Sequence, residues 1–208
     1  LAAPLAGADN GRLVDVGLAL SVKWPALREP AADTLTIVRN IYDADGRPGP
    51  PVQETLPITV QPAGGDETRI DVRRRVSLAP GRYQIRYNVT SARLRRTGSV
   101  YADLVVPDVA RSVLTLSGLV VGSPGDLTGS DAWRGLVPIV PATARDFAAG
   151  RPLNVFVRVF QGGSAATADV SVLAEIYDAQ NTSRFSSTVV LPSAAFELPT
   201  PIVTFAVG

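Results

Sequence analysis

Leu78-Ala79-Pro80-Gly81-Arg82-Tyr83-Gln84-Ile85-Arg86-Tyr87-Asn88-Val89 is the stretch on which the fold reading turns. Pro80-Gly81 punctuates the chain, and the residues then alternate. Tyr83, Ile85, Tyr87 and Val89 fall on one face, and Arg82, Gln84, Arg86 and Asn88 on the other. A period of two marks a half-buried β-strand, because successive side chains leave a strand on opposite faces. Pro80-Gly81-Arg82-Tyr83 has the form of a tyrosine corner, in which Tyr83 ties a β-sandwich together through its hydroxyl.

The same rhythm continues on both sides. Upstream, Leu13 to Val22, Leu35 to Tyr42, Thr55 to Val60 and Thr68 to Leu78 read as strands, and Asp43-Ala44-Asp45-Gly46 with the Pro-rich run to Pro51 as a turn. Downstream, Arg95 to Gly98 reads as a turn and Ser99 to Val106 as the returning strand, closed by Pro107-Asp108. About seven strands in residues 1–108 make one immunoglobulin-like sandwich.

Residues 109–208 begin again. Val113 to Val121 is an apolar strand, and a long loop rich in Gly, Ser and Pro covers 122–149, with a short helical turn from Ser130 to Leu136 capped by Ser130. Leu153 to Phe160, Val170 to Tyr177, Arg184 to Leu191 and Ile202 to Val207 follow as strands. Ile176-Tyr177-Asp178-Ala179-Gln180-Asn181 repeats Ile41-Tyr42-Asp43-Ala44-Asp45-Gly46 at an offset of about 135 residues. The expected fold is therefore all-β: two tandem immunoglobulin/fibronectin-III-like antiparallel β-sandwiches, 1–108 and 109–208. The second lacks its C-terminal hairpin, the counterpart of Leu78 to Val106. Such a sandwich leaves a strand edge and an apolar face uncovered. Three readings stay open: the polypeptide continues past Gly208, a neighbouring subunit donates a strand, or Leu1 to Ala8 of another copy pairs there.

Composition narrows the function. Of 208 residues, 46% are apolar, 20 are basic and 19 acidic, for a net charge of +1. That balance argues against a general nucleic-acid binder. Cys and His are both absent, which removes disulfides, His-dependent triads and His or Cys metal ligands. No apolar run is long enough for a membrane-spanning helix. A start at Leu1 reads as a processed or trimmed end.

Several segments resemble the C-terminal β-sandwich region of bacterial von Willebrand factor A-related secreted proteins. They are Leu78 to Arg86, Gly98 to Asp108, Leu114 to Val120 and Phe147 to Leu153, in that order along most of the chain. The resemblance implies an exported, secreted or cell-surface bacterial protein with an adhesion-like or scaffolding role. It also implies an A-type domain ahead of this region and a further Pro-Gly-x-Tyr hairpin after it. It brings no catalytic residues.

The remaining motifs are weighed against plainer readings. Asp126-Leu127-Thr128-Gly129-Ser130 has the oxygen donors of a metal-adhesion motif but sits in a Gly/Pro loop, and reads as a polar loop. Asp43-Ala44-Asp45-Gly46 lacks the further acids of a calcium loop and reads as a turn. Asn88-Val89-Thr90 and Asn181-Thr182-Ser183 fit the glycosylation sequon as chance patterns. Arg73, Arg75, Arg82 and Arg86 are expected on adjacent strands, either as a solvated face balanced by Asp71 and Glu67 or as a contact surface for an acidic partner. Trp24 and Trp133 read first as packing anchors, and Trp133, in the long loop, as the candidate ligand platform. No metal, cofactor or catalytic set is expected. The expected function is a non-enzymatic extracellular structural or interaction module whose partners are other copies of itself or the rest of a larger polypeptide. The alternative is a carbohydrate- or ligand-binding β-sandwich.

Overall fold

The computed structural model describes residues 1–8, 11–63, 67–125, 127, 131–144, 146–147, 150–196 and 201–207. Among these residues the chain is all-β, with one 3₁₀ turn at Ser193–Phe196 and no α-helix. In chain order the first strands are β1 (Ala2–Ala8), β2 (Leu13–Pro25), β3 (Ala31–Tyr42), β4 (Val52–Val60), β5 (Glu67–Leu78), β6 (Gly81–Ser91) and β7 (Arg96–Val106). Then come β8 (Thr115–Leu116), β9 (Val120–Pro124), β10 (Ile139–Pro141), β11 (Leu153–Phe160), β12 (Val170–Tyr177), β13 (Ser183–Leu191) and β14 (Ile202–Val207). The sheets run β1-β2-β5, β4-β3-β6-β7, β10-β9-β11-β14 with β8 also on β11, and β12-β13.

Two compact units are interleaved along the sequence. Unit 1 holds Leu1–Ala2, Leu18–Arg73 and Gly81–Val106, and unit 2 holds Ala3–Gly17, Arg74–Pro80 and Pro107–Gly208. The sequence reading set one boundary, at residue 108, whereas this division passes through β1, β2 and β5. With 13 and 12 residues, β2 and β5 are about twice the usual strand length. The N-terminal segment is taken up within its own chain. The Leu1 ammonium donates to Ala19 O at 2.9 Å, and Ala19 N–H donates to Leu1 O at 2.8 Å.

In unit 1, β6 is zipped to β7 from Gly81↔Val106 to Ser91↔Arg96 and to β3 from Leu35↔Ser91 to Tyr42↔Gln84. The turn joining β6 to β7 sits at 92–95, earlier than the sequence reading, because Arg95 takes the left-handed conformation (φ 50°) and lets β7 start at Arg96. Leu20, Trp24, Leu35, Ile37, Val60 and Val72 form the core. Leu35 and Ile37 share a β3 face with Asp33, which is itself buried. Its carboxylate accepts hydrogen bonds from Trp24 Nε1 (3.0 Å), Ser91 Oγ (2.5 Å), Thr34 N–H (2.7 Å) and Arg93 N–H (2.9 Å). One acid thus ties the end of β2 and the β6–β7 turn to β3.

In unit 2, Val157, Val159, Val172, Leu191, Val203 and Phe205 build a core between β11, β14 and the β12–β13 pair. The expected loop 122–149 is partly a ladder: Ile139↔Pro124, Val140↔Ser123 and Pro141↔Gly122. The Gly/Pro-rich composition hid this pairing, yet Gly122 is what permits it, since a Cβ there would run into the Val140 carbonyl. The stretch expected as a helical turn is a series of turns over 132–136, with Asp131 Oδ1 accepting from Trp133 N–H at 2.9 Å. Its expected cap, Ser130, and all of the Asp126–Ser130 motif except Leu127 lie outside the described residues.

Burial alone would raise the Asp33 carboxyl, but the hydrogen bonds from Ser91, Arg93, Trp24 and Thr34 together outweigh it and hold the group below the usual carboxylate range. The folded state therefore takes up this proton at lower pH than the unfolded chain. The stabilisation is complete above about pH 4 and is lost as pH falls further. Asp33→Asn should lower stability by roughly 1–3 kcal/mol at neutral pH and flatten the acid limb. Urea midpoints at neutral pH and at about pH 3 check this, and an unchanged acid limb would contradict it.

Candidate functional site

The internal repeat is visible in atomic detail. In the first copy Asp43 N–H donates to Arg47 O (3.0 Å) and Gly46 N–H to Asp43 O (3.0 Å), while Asp43 Oδ1 accepts from Asp45 and Arg47 N–H at 2.9 Å each. In the second, Asp178 N–H donates to Thr182 O (3.0 Å) and Asn181 N–H to Asp178 O (3.0 Å), while Asp178 Oδ1 accepts from Gln180 and Thr182 N–H at 2.9 Å each. Gly46 and Asn181, at matching positions, are both left-handed, with φ of 76° and 60°. Asn is among the few side chains that tolerate this conformation. The Thr182 N–H bond, with those from Arg184 and Gln180, outweighs burial and holds Asp178 below the usual carboxylate range. The strands leaving the turns, β4 and β13, share the same rhythm of exposure and end on buried Val60 and Leu191.

The copies part company at the strand that enters the turn. Val170–Tyr177 of β12 matches Leu35–Tyr42 of β3. On β3 both edges are filled, by β4 and by β6. Among the described residues β12 pairs with β13 alone. Thr34 O accepts from Ala92 N–H, so alternation points the backbone groups of Thr36, Val38 and Asn40 toward β6. Their repeat mates Ser171, Leu173 and Glu175 point theirs to the open edge.

Side-chain exposure follows. Leu35 and Ile37 are sealed, while Val170 and Val172 are less so. Val38 and Tyr42 are half-buried, whereas Leu173 is 57% and Tyr177 49% exposed. Ile176, on the inward face, is 38% exposed. A strand's worth of cover is missing from β12 relative to its twin.

The residues named from sequence are scattered. Arg73 and Arg75 stand on β5, in the β1-β2-β5 sheet, and Arg82 and Arg86 on β6, in the β4-β3-β6-β7 sheet. β5 and β6 do not pair, so the expectation of adjacent strands does not hold. Arg75 pairs with buried Asp15, which also accepts from Ser77 Oγ at 2.6 Å. Arg86 lies over the Tyr42 ring, 4.4 Å from its centroid, and donates to Gln84 Oε1 at 2.6 Å. Glu67 pairs with Lys23 at 2.7 Å. Tyr83 is half-buried, and its ring turns back toward Gly81.

Trp133 does not serve as a ligand platform. It is 0% exposed and donates from Nε1 to Arg74 O at 2.9 Å. The anchoring reading fits it and its counterpart Trp24, which is also buried. Sequence reasoning missed the buried carboxylates Asp15 and Asp33. Asp33 was detectable, because it stands in phase with Ala31, Leu35 and Ile37 on the apolar face of β3.

Among the described residues no group of three or more His, Cys, Asp or Glu is placed to hold a metal ion, and no helix is long and apolar enough to cross a membrane. No protein-family model and no curated protein matches the chain.

Trp133 fits because Gly17 lacks a side chain: a Cβ there would lie 2.6 Å from both Leu5 Cδ1 and the Trp133 ring. Gly17→Ala should cost about 1–3 kcal/mol through overpacking, read as a fall in Tm. An unchanged Tm would show that the ring is not held against this glycine.

Proposed function

We propose that this chain is a non-enzymatic structural or interaction module of a secreted or cell-surface bacterial protein, and that it works by accepting a β-strand along the open edge of β12. The observation that carries the reading is the contrast between twins: β3 is covered by β6, and β12 has no such neighbour among the described residues. A free edge is a template for strand addition, in which backbone hydrogen bonds supply affinity and alternate side chains supply specificity.

The finer architecture belongs to the same proposal. In unit 1, the β4-β3-β6-β7 sheet together with the unit-1 parts of β2 and β5 from a second sheet supports an immunoglobulin/fibronectin-III-like sandwich. The repeated β-turn-β unit supports a second, related sandwich in tandem. The resemblance to the C-terminal region of von Willebrand factor A-related secreted proteins agrees with an exported scaffold or stalk. The added strand runs antiparallel to β12, as β6 runs on β3, and comes from a second copy of the chain or from the rest of a larger polypeptide.

Leu173→Pro separates edge from core. Leu173 is largely exposed and its N–H faces the open edge, so proline removes an edge donor while leaving the ladder to β13 intact. Sedimentation velocity over a concentration series should show the wild type associating and Leu173→Pro remaining monomeric with an unchanged circular dichroism spectrum. A wild type that stays monomeric throughout would overturn self-assembly through this edge.

A further inference from the structure

We propose that the outer face of the β4-β3-β6-β7 sheet, in unit 1, is a saccharide-binding site for a neutral oligosaccharide of flat, equatorially substituted pyranose rings. The inference goes beyond strand acceptance at β12 and does not rest on it.

Strand register builds the site. Leu35 and Ile37 of β3 and Ile85 of β6 are buried, so the alternate positions of both strands face outward. Across β3, β6 and β7 the outward rows are Tyr42–Gln84–Asp103 and Asn40–Arg86–Tyr101. Asn88 and Ser99, the next outward pair, extend the grid. Strand spacing and rise give it roughly 10 Å across the strands and about 14 Å along them. A hollow of about 670 Å³ lies over the Arg86 and Asn88 positions. The grid draws on neither end of the chain, since all of it falls between Asn40 and Asp103.

Its polar groups are ordered without being used up. Arg86 lies over the Tyr42 ring, 4.4 Å from the centroid, and its Nε donates to Gln84 Oε1 at 2.6 Å. Gln84 Nε2 in turn donates to Asp103 Oδ1 at 2.9 Å. One amide thus spaces a cation from an anion. Among the described residues neither Arg86 nor Asp103 makes an ion pair. Arg86 keeps terminal N–H donors, and Asp103 keeps acceptor capacity. One row further, Arg82 and Asp43 line an adjoining hollow, so the two signs of charge balance along the face.

This complementarity selects the occupant. A ligand of one sign meets either Arg86 or Asp103 unfavourably. A hydroxyl both donates and accepts, so neighbouring hydroxyls of a sugar ring bridge the two, and Asn40 and Asn88 supply further donors and acceptors. Tyr101 is 67% exposed beside Arg86. Its ring offers an apolar platform to the C–H face of a pyranose, with a polar tip at the rim. The face has no free backbone for a peptide strand, because β3 and β6 each pair on both edges. It also has charged groups where a protein interface would place an apolar core.

Cellotetraose and chitotetraose are titrated separately into isotope-labelled chain, and amide chemical shifts are followed. Saturable shifts are expected with at least one of them, centred on residues 40–42, 84–88 and 99–103. Tyr101→Ala and Arg86→Gln, both at exposed positions, should each weaken binding by about tenfold or more with unchanged melting. Tyr101→Phe keeps the ring and should stay within about threefold of the wild type.

The proposal is overturned if neither tetrasaccharide gives saturable shifts, if the shifts centre elsewhere, or if binding is indifferent to both Tyr101→Ala and Arg86→Gln. Tighter binding of tetragalacturonate, which carries a carboxylate on every ring, would give the face to an acidic ligand and overturn the neutral assignment. Leu173 stands on β12 in unit 2, so Leu173→Pro should leave this titration unchanged, and strand acceptance and sugar binding stand or fail independently.

Discussion

Between Leu35–Tyr42 and Gln84–Ser91 runs an antiparallel ladder that fills the second edge of β3. An unfilled strand edge leaves its N–H and C=O groups to solvent, and a strand added there also shields the neighbouring side chains. The rest of unit 1 follows from that ladder. It seats β6 so that Tyr87 and Val89 reach the core, brings Ser91 and the Arg93 N–H to Asp33, and sets the register in which β7 pairs back. Among the described residues nothing fills the matching edge of β12, and Leu173, Ile176 and Tyr177 there are open to solvent.

Two buried carboxylates hold strand ends where apolar packing alone would not fix them. Asp33 gathers four donors from β2, β3, β6 and the following turn in unit 1. Asp15 joins β2 to β5 through Arg75 and Ser77 in unit 2. A buried acid is tolerable only when its oxygens are satisfied, so each marks a point where the register has little freedom to slip.

Much of the strand order was legible because its signals are local. Alternation around Tyr83–Val89 and Leu35–Tyr42 gave strands, and Asp43-Ala44-Asp45-Gly46 against Asp178-Ala179-Gln180-Asn181 gave the repeat that the turn hydrogen bonds then matched. What was not legible depends on partners far away in sequence. Ile139–Pro141 carries too few residues to announce a strand, and it becomes one through Gly122. Arg73, Arg75, Arg82 and Arg86 look like neighbours along the chain, but sheet membership separates them. Trp133 looked free in a polar loop, and its burial rests on Gly17 and Leu5, which no local pattern connects to it. The repeat led to the expectation of a missing counterpart to Leu78–Val106, but it did not single out the edge of β12.

The central claim is that β12, which among the described residues pairs with β13 alone, has an open edge where β3 has β6, and amide hydrogen exchange on the dilute chain tests it most directly. The amides of Thr36, Val38 and Asn40, which face β6, should be strongly protected. Those of their repeat mates Ser171, Leu173 and Glu175 should exchange at close to the rate of an unprotected strand edge. Equal protection at both sets of positions would mean that the edge of β12 is already filled, and would contradict the account.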